Sequence, residues 1–250
     1  MVKIIFLGSG GGRYICVNQK RATGGFIVDK YHIDPGPGAL LRALEKNIDP
    51  KKLKGVFVSH RHIDHCNDAS LMVDAMTNSL NRKKGVFIGS KNCSDLLYPE
   101  EKNFLEEYYL LEKNDKVSLG DMNVEAVETR HMEETGIGFK FYTEWGIISY
   151  TSDTEYFSGL KAHEGARILI LNVTRPRKYR IPFHLSTEDA VELIATVKPE
   201  LAVIIHLGMR MHPIAEKEKK FIEEETDTKT IIGDLGTVIT MEKDINISKI

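Results

Sequence analysis

Short apolar runs rich in Val, Ile and Phe recur along the chain and predict strands at residues 3–7, 25–28, 56–58, 86–88, 124–127, 138–142, 147–150, 168–171 and 202–205, with a final pair at 231–232 and 238–241. Between several of them the apolar positions shift to a helical period, predicting helices at 39–47, 69–80, an acidic one at 100–111, and others at 187–197 and 213–225. "STEDA" at 186–190 reads as a helix N-cap followed by acidic first-turn residues, and Pro213 suits the first turn of the last helix. "FKFYTEWGIISY" reads as an antiparallel hairpin. Hairpins mixed with strand–helix alternation predict an α/β layered fold rather than an all-parallel sheet. No low-complexity segment, Pro/Gly-rich linker or short repeat divides the chain, so one domain over residues 1–250 is expected.

The polar residues that interrupt this pattern are not scattered evenly. His60 follows the run "GVFVS", His131 follows "VEAVETR", Asp153 follows "IISYTS", and His206 ends "LAVII". Reactive side chains gather where strands give way to loops. In "HRHIDH", His60 and His62 stand two apart, a spacing that no helix face accommodates, whereas a tight loop after a strand can turn both inward. Imidazole nitrogens bind zinc at about 2.0–2.1 Å and carboxylates at a similar distance. One ion would take His60, His62 and a third histidine; Asp64 and His65 would begin a second site. Cys66, beside this loop, reads as a small buried residue, and His32 and His163 as structural or surface residues.

The H-x-H-x-D-H run resembles the motif of the metallo-β-lactamase superfamily, here His60, His62, Asp64 and His65. "FLGSGGG" is similar to the Gly-rich turn after that family's first strand, and "HIDPGPGAL" to the segment whose aspartate, here Asp34, buttresses the metal loop. His131, Asp153 and His206 match the remaining ligand positions in order. The resemblance implies a four-layered αββα sandwich. It assigns His60, His62 and His131 to one ion, Asp64, His65 and His206 to another, and Asp153 to a bridge. Two divalent ions, zinc first with manganese and iron also accepted by such donors, would activate water for hydrolysis.

The bond to be cleaved is a separate question. "FHLSTEDA" places His184 ahead of the last ligand strand, resembling the additional histidine of the tRNase Z branch and related phosphodiesterases, where it serves as a general acid. Asp64 and His184 are therefore the catalytic candidates. "RPRKYR" supplies Arg175, Arg177, Lys178 and Arg180 as candidate phosphate contacts, since guanidinium forks match phosphate oxygens. The sequence also departs from that branch. Asn172 in "LILNVTR" sits where a glutamate would charge the extra histidine, and the segment between His131 and Asp153 is too short for a protruding tRNA-gripping arm. The expectation is a two-metal phosphodiesterase acting on RNA, DNA ends or a small diester. The alternatives are a lactonase or thioesterase, and a non-hydrolytic iron protein on the same scaffold.

Composition narrows the partners. A net charge of −2 offers no global field for a polyanion, so any such contact has to be local. Three separated cysteines make no disulfide framework and favour a reducing cytoplasm, and the first residues fail as a signal peptide. No apolar run is long enough to span a membrane. The mixed-charge stretch "AEKEKKFIEEE" is expected to be a solvated face, and it leaves a homodimer contact open.

Overall fold

The computed structural model describes residues 1–250, which divide into two compact units. The first comprises Met1–Gly8, Ala22–Leu111 and Asp234–Ile250; the second comprises Ser9–Arg21 and Glu112–Gly233.

The first unit holds an eight-stranded sheet ordered Ile245–Lys249, Thr237–Met241, Val2–Gly8, Thr23–Val28, Tyr31–Ile33, Gly55–Val58, Val86–Ser90 and Glu107–Leu111. Pairing is antiparallel as far as Tyr31–Ile33 and parallel beyond it. Helices Ala39–Glu45 and Ala69–Met76 cover one face, where Ala39, Ala43, Met72 and Val73 meet Leu7, Ile27, Val56, Val58 and Phe87. Residues of the opposite parity, Phe6, Phe26, Ile33 and Phe57, are fully buried as well. Burial on both faces explains why these strands read as continuous apolar runs.

The expected acidic helix at 100–111 is corrected here. A short helix, Pro99–Asn103, ends early, and Glu107–Leu111 forms a strand parallel to Val86–Ser90. Tyr108 stacks on Phe87 with ring centroids 5.4 Å apart, and Glu106 accepts the Gly85 amide at 2.8 Å. Aromatic packing at a sheet edge outweighs the helical leaning of the acidic residues.

The second unit holds a sheet ordered Thr230–Ile232, Leu201–Ile205, Ala166–Arg175, Gly146–Tyr150, Ile137–Thr143, Asn123–Glu128 and Lys116–Ser118. Helices Thr187–Val197 and Ala215–Thr226 pack on Leu169, Leu171, Val173, Ala202 and Ile204. The predicted N-cap forms as a capping box: the Asp189 amide donates to Ser186 Oγ and the Ser186 amide to Asp189 Oδ2. Along Ala215–Thr226 Lys219 pairs with Glu223 and Lys220 with Glu224 at i,i+4 spacing. The runs at 231–232 and 238–241, adjacent in sequence, lie in different sheets. No helix is long and apolar enough to cross a membrane.

His32 and His163 are fully buried. His32 Nε2 donates to the Gly24 carbonyl at 2.7 Å, and His163 Nδ1 lies 2.6 Å from Ser149 Oγ. Burial pushes their pKa values down to about 4 and about 3. The unfolded chain takes up these protons near pH 6.5 and the folded chain only well below it, so stability is intact above pH 6.5 and falls with decreasing pH. At pH 5 each histidine costs on the order of 2 kcal/mol. Urea midpoints should drop clearly between pH 7 and 5; a flat profile would contradict this.

Candidate metal centre

In the first unit the strand Gly55–Val58 delivers Ser59 and His60, and His62 caps the one-turn helix Ile63–Cys66 that carries Asp64 and His65. His60 Nε2 lies 3.1 Å from His62 Nδ1, the His60 and His65 rings are 4.1 Å apart, and His65 Nε2 is 3.8 Å from Asp64 Oδ2. Asp34 holds this loop from behind. Its Oδ1 accepts the Ser59 amide at 2.7 Å, and its Oδ2 accepts Ser59 Oγ at 2.7 Å and His65 Nδ1 at 2.8 Å. Ser59 Oγ, having given its proton to Asp34, faces His60 Nδ1 at 3.1 Å as an acceptor. Asp34 therefore fixes the ring of His65 directly and that of His60 through Ser59. It does so from a left-handed backbone, φ 51°, which Asp tolerates better than most residues. Gly36 follows because a Cβ there would come within 2.1 Å of the Asp64 carbonyl oxygen. Cys66 is buried, its Sγ donates to the Arg61 carbonyl, and burial pushes its thiol up to about 11.

In the second unit the strands Asn123–Glu128, Gly146–Tyr150 and Leu201–Ile205 lead into His131, Asp153 and His206. Asp153 is the focus. Its Oδ2 is 3.8 Å from His131 Nε2 and 3.7 Å from His184 Nδ1; its Oδ1 is 3.3 Å from His206 Nε2. Asp153, His184 and His206 offer ligand atoms all within 4.8 Å of one another. His131 Nδ1 donates to the Phe183 carbonyl at 3.0 Å, and His206 Nδ1 lies 2.9 Å from Thr174 Oγ1. The Gly-rich turn serves His206: a Cβ on Gly11 would fall 2.1 Å from its ring. Burial pushes the His184 pKa down to about 4 against the pull of Asp153, so the ring is neutral near pH 7.

Asn172 makes no hydrogen bond to His184. Its Nδ2 donates to Asp153 Oδ1 at 2.7 Å and to the Tyr150 hydroxyl at 3.2 Å, so the amide orients Asp153. Thr174, two residues on and on the same side of the strand, stands beside His184, with Oγ1 3.4 Å from its Nδ1.

The basic cluster separates by pairing. Arg177 forks onto the buried Glu218 at 3.0–3.2 Å and lies over the Phe221 ring; Arg180 pairs with Asp189 at 2.8 Å. Lys178 is exposed, and its amide donates to Glu188. Arg175 has no such partner: its Nε is buried without a hydrogen bond, and its charge acts on His184. Arg210, which the sequence did not single out, adds its own field to Arg175 and lies over the Tyr179 ring.

The donor chemistry fits a divalent cation. A carboxylate and a carbonyl can only accept, so His65 and His131 carry a proton on Nδ1, and in the neutral rings the Nε2 lone pairs face Asp64 and Asp153. Buried lone pairs facing carboxylates call for a cation, and the partners on the far ring nitrogens are those that orient metal-binding imidazoles.

Fold and donors together define a metallo-hydrolase. The chain belongs to the metallo-β-lactamase superfamily: the family model described as the β-lactamase superfamily domain matches residues 30–207. It is 38% identical over 255 residues to an uncharacterized protein of Methanocaldococcus jannaschii, covering 96% of this chain and 95% of that one. It is 29% identical over 190 residues to ribonuclease Z of Methanopyrus kandleri, covering 70% of this chain and 64% of that protein. Among solved structures, the metallo-β-lactamase fold protein YhfI from Bacillus subtilis superposes with a TM-score of 0.80 at 18% identity, covering 95% of this chain and 98% of that one.

Proposed function

We propose that the protein is a two-metal phosphodiesterase. His60, His62 and His131 would hold one ion, Asp64, His65 and His206 would hold the second, and Asp153 would serve both. Zinc is the first choice for such a donor set. When bound, the ions supply activated water and neutralise developing charge. The chain's own residues do the rest. Asp34 and Ser59 hold the rings of His65 and His60, Asn172 holds Asp153, Arg175 receives a non-bridging phosphate oxygen, and His184 gives a proton to the leaving oxygen. Nearby phosphate charge raises the proton affinity of His184 from its depressed value.

The observation that carries the reading is the pairing of His184, beside Asp153, with Arg175, the guanidinium of its cluster with a buried Nε lacking a partner. Similarity to a ribonuclease Z supports it. The span between His131 and Asp153 is filled by the hairpin Ile137–Thr143 and Gly146–Tyr150, which leaves no arm for gripping tRNA and favours nucleic-acid ends or small diesters.

His184→Ala should abolish turnover of bis(p-nitrophenyl) phosphate while metal content stays unchanged; unchanged turnover would remove its role. Arg175→Ala should raise KM for the diester roughly 10- to 100-fold, the worth of one charge-assisted phosphate contact. Arg177→Ala should lower stability through the abandoned Glu218 and leave KM alone. Equal KM effects from both variants would contradict the assignment.

A further inference from the structure

Phe183 stands in a conformation that its side chain does not favour. Its φ is 68°, left-handed for a bulky aromatic residue, and the residue is 38% exposed, so burial does not account for the strain. Such conformations persist where the surroundings over-determine them, and they cluster at functional sites. Here the main chain is held on both sides. The Phe183 amide donates to Glu155 Oε2 at 3.2 Å, and the Phe183 carbonyl accepts His131 Nδ1 at 3.0 Å.

Those two bonds belong to a closed circuit. The Arg130 amide donates to Thr154 Oγ1 at 2.9 Å, and the Glu155 amide donates to the Arg130 carbonyl at 2.9 Å. The segment carrying His131 is thus tied to the segment carrying Asp153. The Glu155 carboxylate ties both to the elbow that carries His184, which an isolated bridge between Ile181 and His184 closes. Each of the three segments reaches the others by a directional hydrogen bond.

We propose that Glu155 and Phe183 are a positioning pair. Glu155 holds the Phe183 peptide in its left-handed turn, and the Phe183 carbonyl fixes the tautomer and orientation of His131. Neither touches substrate. The inference rests on the reading of His131 as a metal donor, but its first readout needs neither metal nor substrate.

The test is ¹⁵N NMR of the His131 ring in metal-free protein, paired with calorimetric titration of zinc. The parent protein should show the Nδ1–H tautomer. Glu155→Ala should mix the two tautomers and weaken zinc binding roughly 10- to 100-fold, the usual cost of losing an orienting partner. Glu155→Gln keeps an oxygen acceptor for the Phe183 amide and should restore both readouts to within about threefold of the parent. Phe183→Gly keeps the carbonyl and relieves the strain, so it should preserve the tautomer. Phe183→Pro cannot adopt the positive φ and should lose it. Should Glu155→Ala not fold, the Gly and Pro variants at 183 decide. An unchanged tautomer in both disrupting variants, or Gln as impaired as Ala, would overturn the proposal. Absence of diester hydrolysis with these NMR results intact would count against the phosphodiesterase reading alone.

Discussion

Asp153→Asn should reduce phosphodiester turnover by roughly 10³-fold or more while leaving the metal-free protein as stable as the parent. Asp153 faces His131 Nε2, His206 Nε2 and His184 Nδ1 at 3.3–3.8 Å. Its negative charge is what a bridging role requires. A bound metal pair contributes several kcal/mol of charge stabilisation in the transition state, and each 1.36 kcal/mol is worth tenfold in rate. The folded chain, in contrast, already bears the cost of burying this carboxylate, and an isosteric amide relieves it. Steady-state kinetics and metal analysis on one preparation check the claim. The expected result is a metal content reduced below the parent's, with the urea midpoint of the metal-free protein not lowered. Retained turnover would exclude a bridging function.

Asp34 should divide function from folding according to what replaces it. In Asp34→Ala three buried donors lose their acceptor: the Ser59 amide, Ser59 Oγ and His65 Nδ1. An abandoned buried donor costs about 1–3 kcal/mol, so the variant should lose at least about 3 kcal/mol of stability. Asp34→Asn tolerates the left-handed backbone and keeps an oxygen for the Ser59 amide. Its NH₂ then faces His65 Nδ1, which must accept rather than donate. The proton moves to His65 Nε2, and the nitrogen offered to a metal is blocked. Near-parent stability with zinc affinity lower by roughly 10- to 100-fold is the expected result from urea unfolding and zinc titration. Parent-like affinity would show that His65 is not held as described.

The parts of the site legible in the sequence are those whose chemistry is contiguous or sits at strand ends. "HRHIDH" announces itself because six consecutive residues supply four donors, and His131, Asp153 and His206 each follow an apolar run. Asp34 was legible through the resemblance of "HIDPGPGAL", whose Gly36 is required by its close approach to the Asp64 backbone. What failed depended on partners distant in the chain. Arg177 and Arg180 read as candidate phosphate contacts, but Arg177 is taken by Glu218, 41 residues away on the last helix, and Arg180 by Asp189 of a capping box. Analogy puts Asn172 beside His184; the amide instead holds Asp153, and Thr174, on the same side of the strand, stands beside His184. The 107–111 strand was hidden by its acidic neighbours and decided by Tyr108 packing on Phe87. Phe183 leaves no trace in composition, because a main-chain carbonyl carries its role.

The lactonase, thioesterase and single-iron alternatives differ from the proposed reading in metal count and in the bond cleaved. Zinc titration of metal-free protein with bis(p-nitrophenyl) phosphate turnover as the readout, run beside lactone and thioester substrates, addresses both. Diester turnover should rise through two equivalents of zinc per chain and then level off, exceeding hydrolysis of the other substrates. Saturation at one equivalent, or lactone or thioester cleavage without diester turnover, would contradict a two-metal phosphodiesterase.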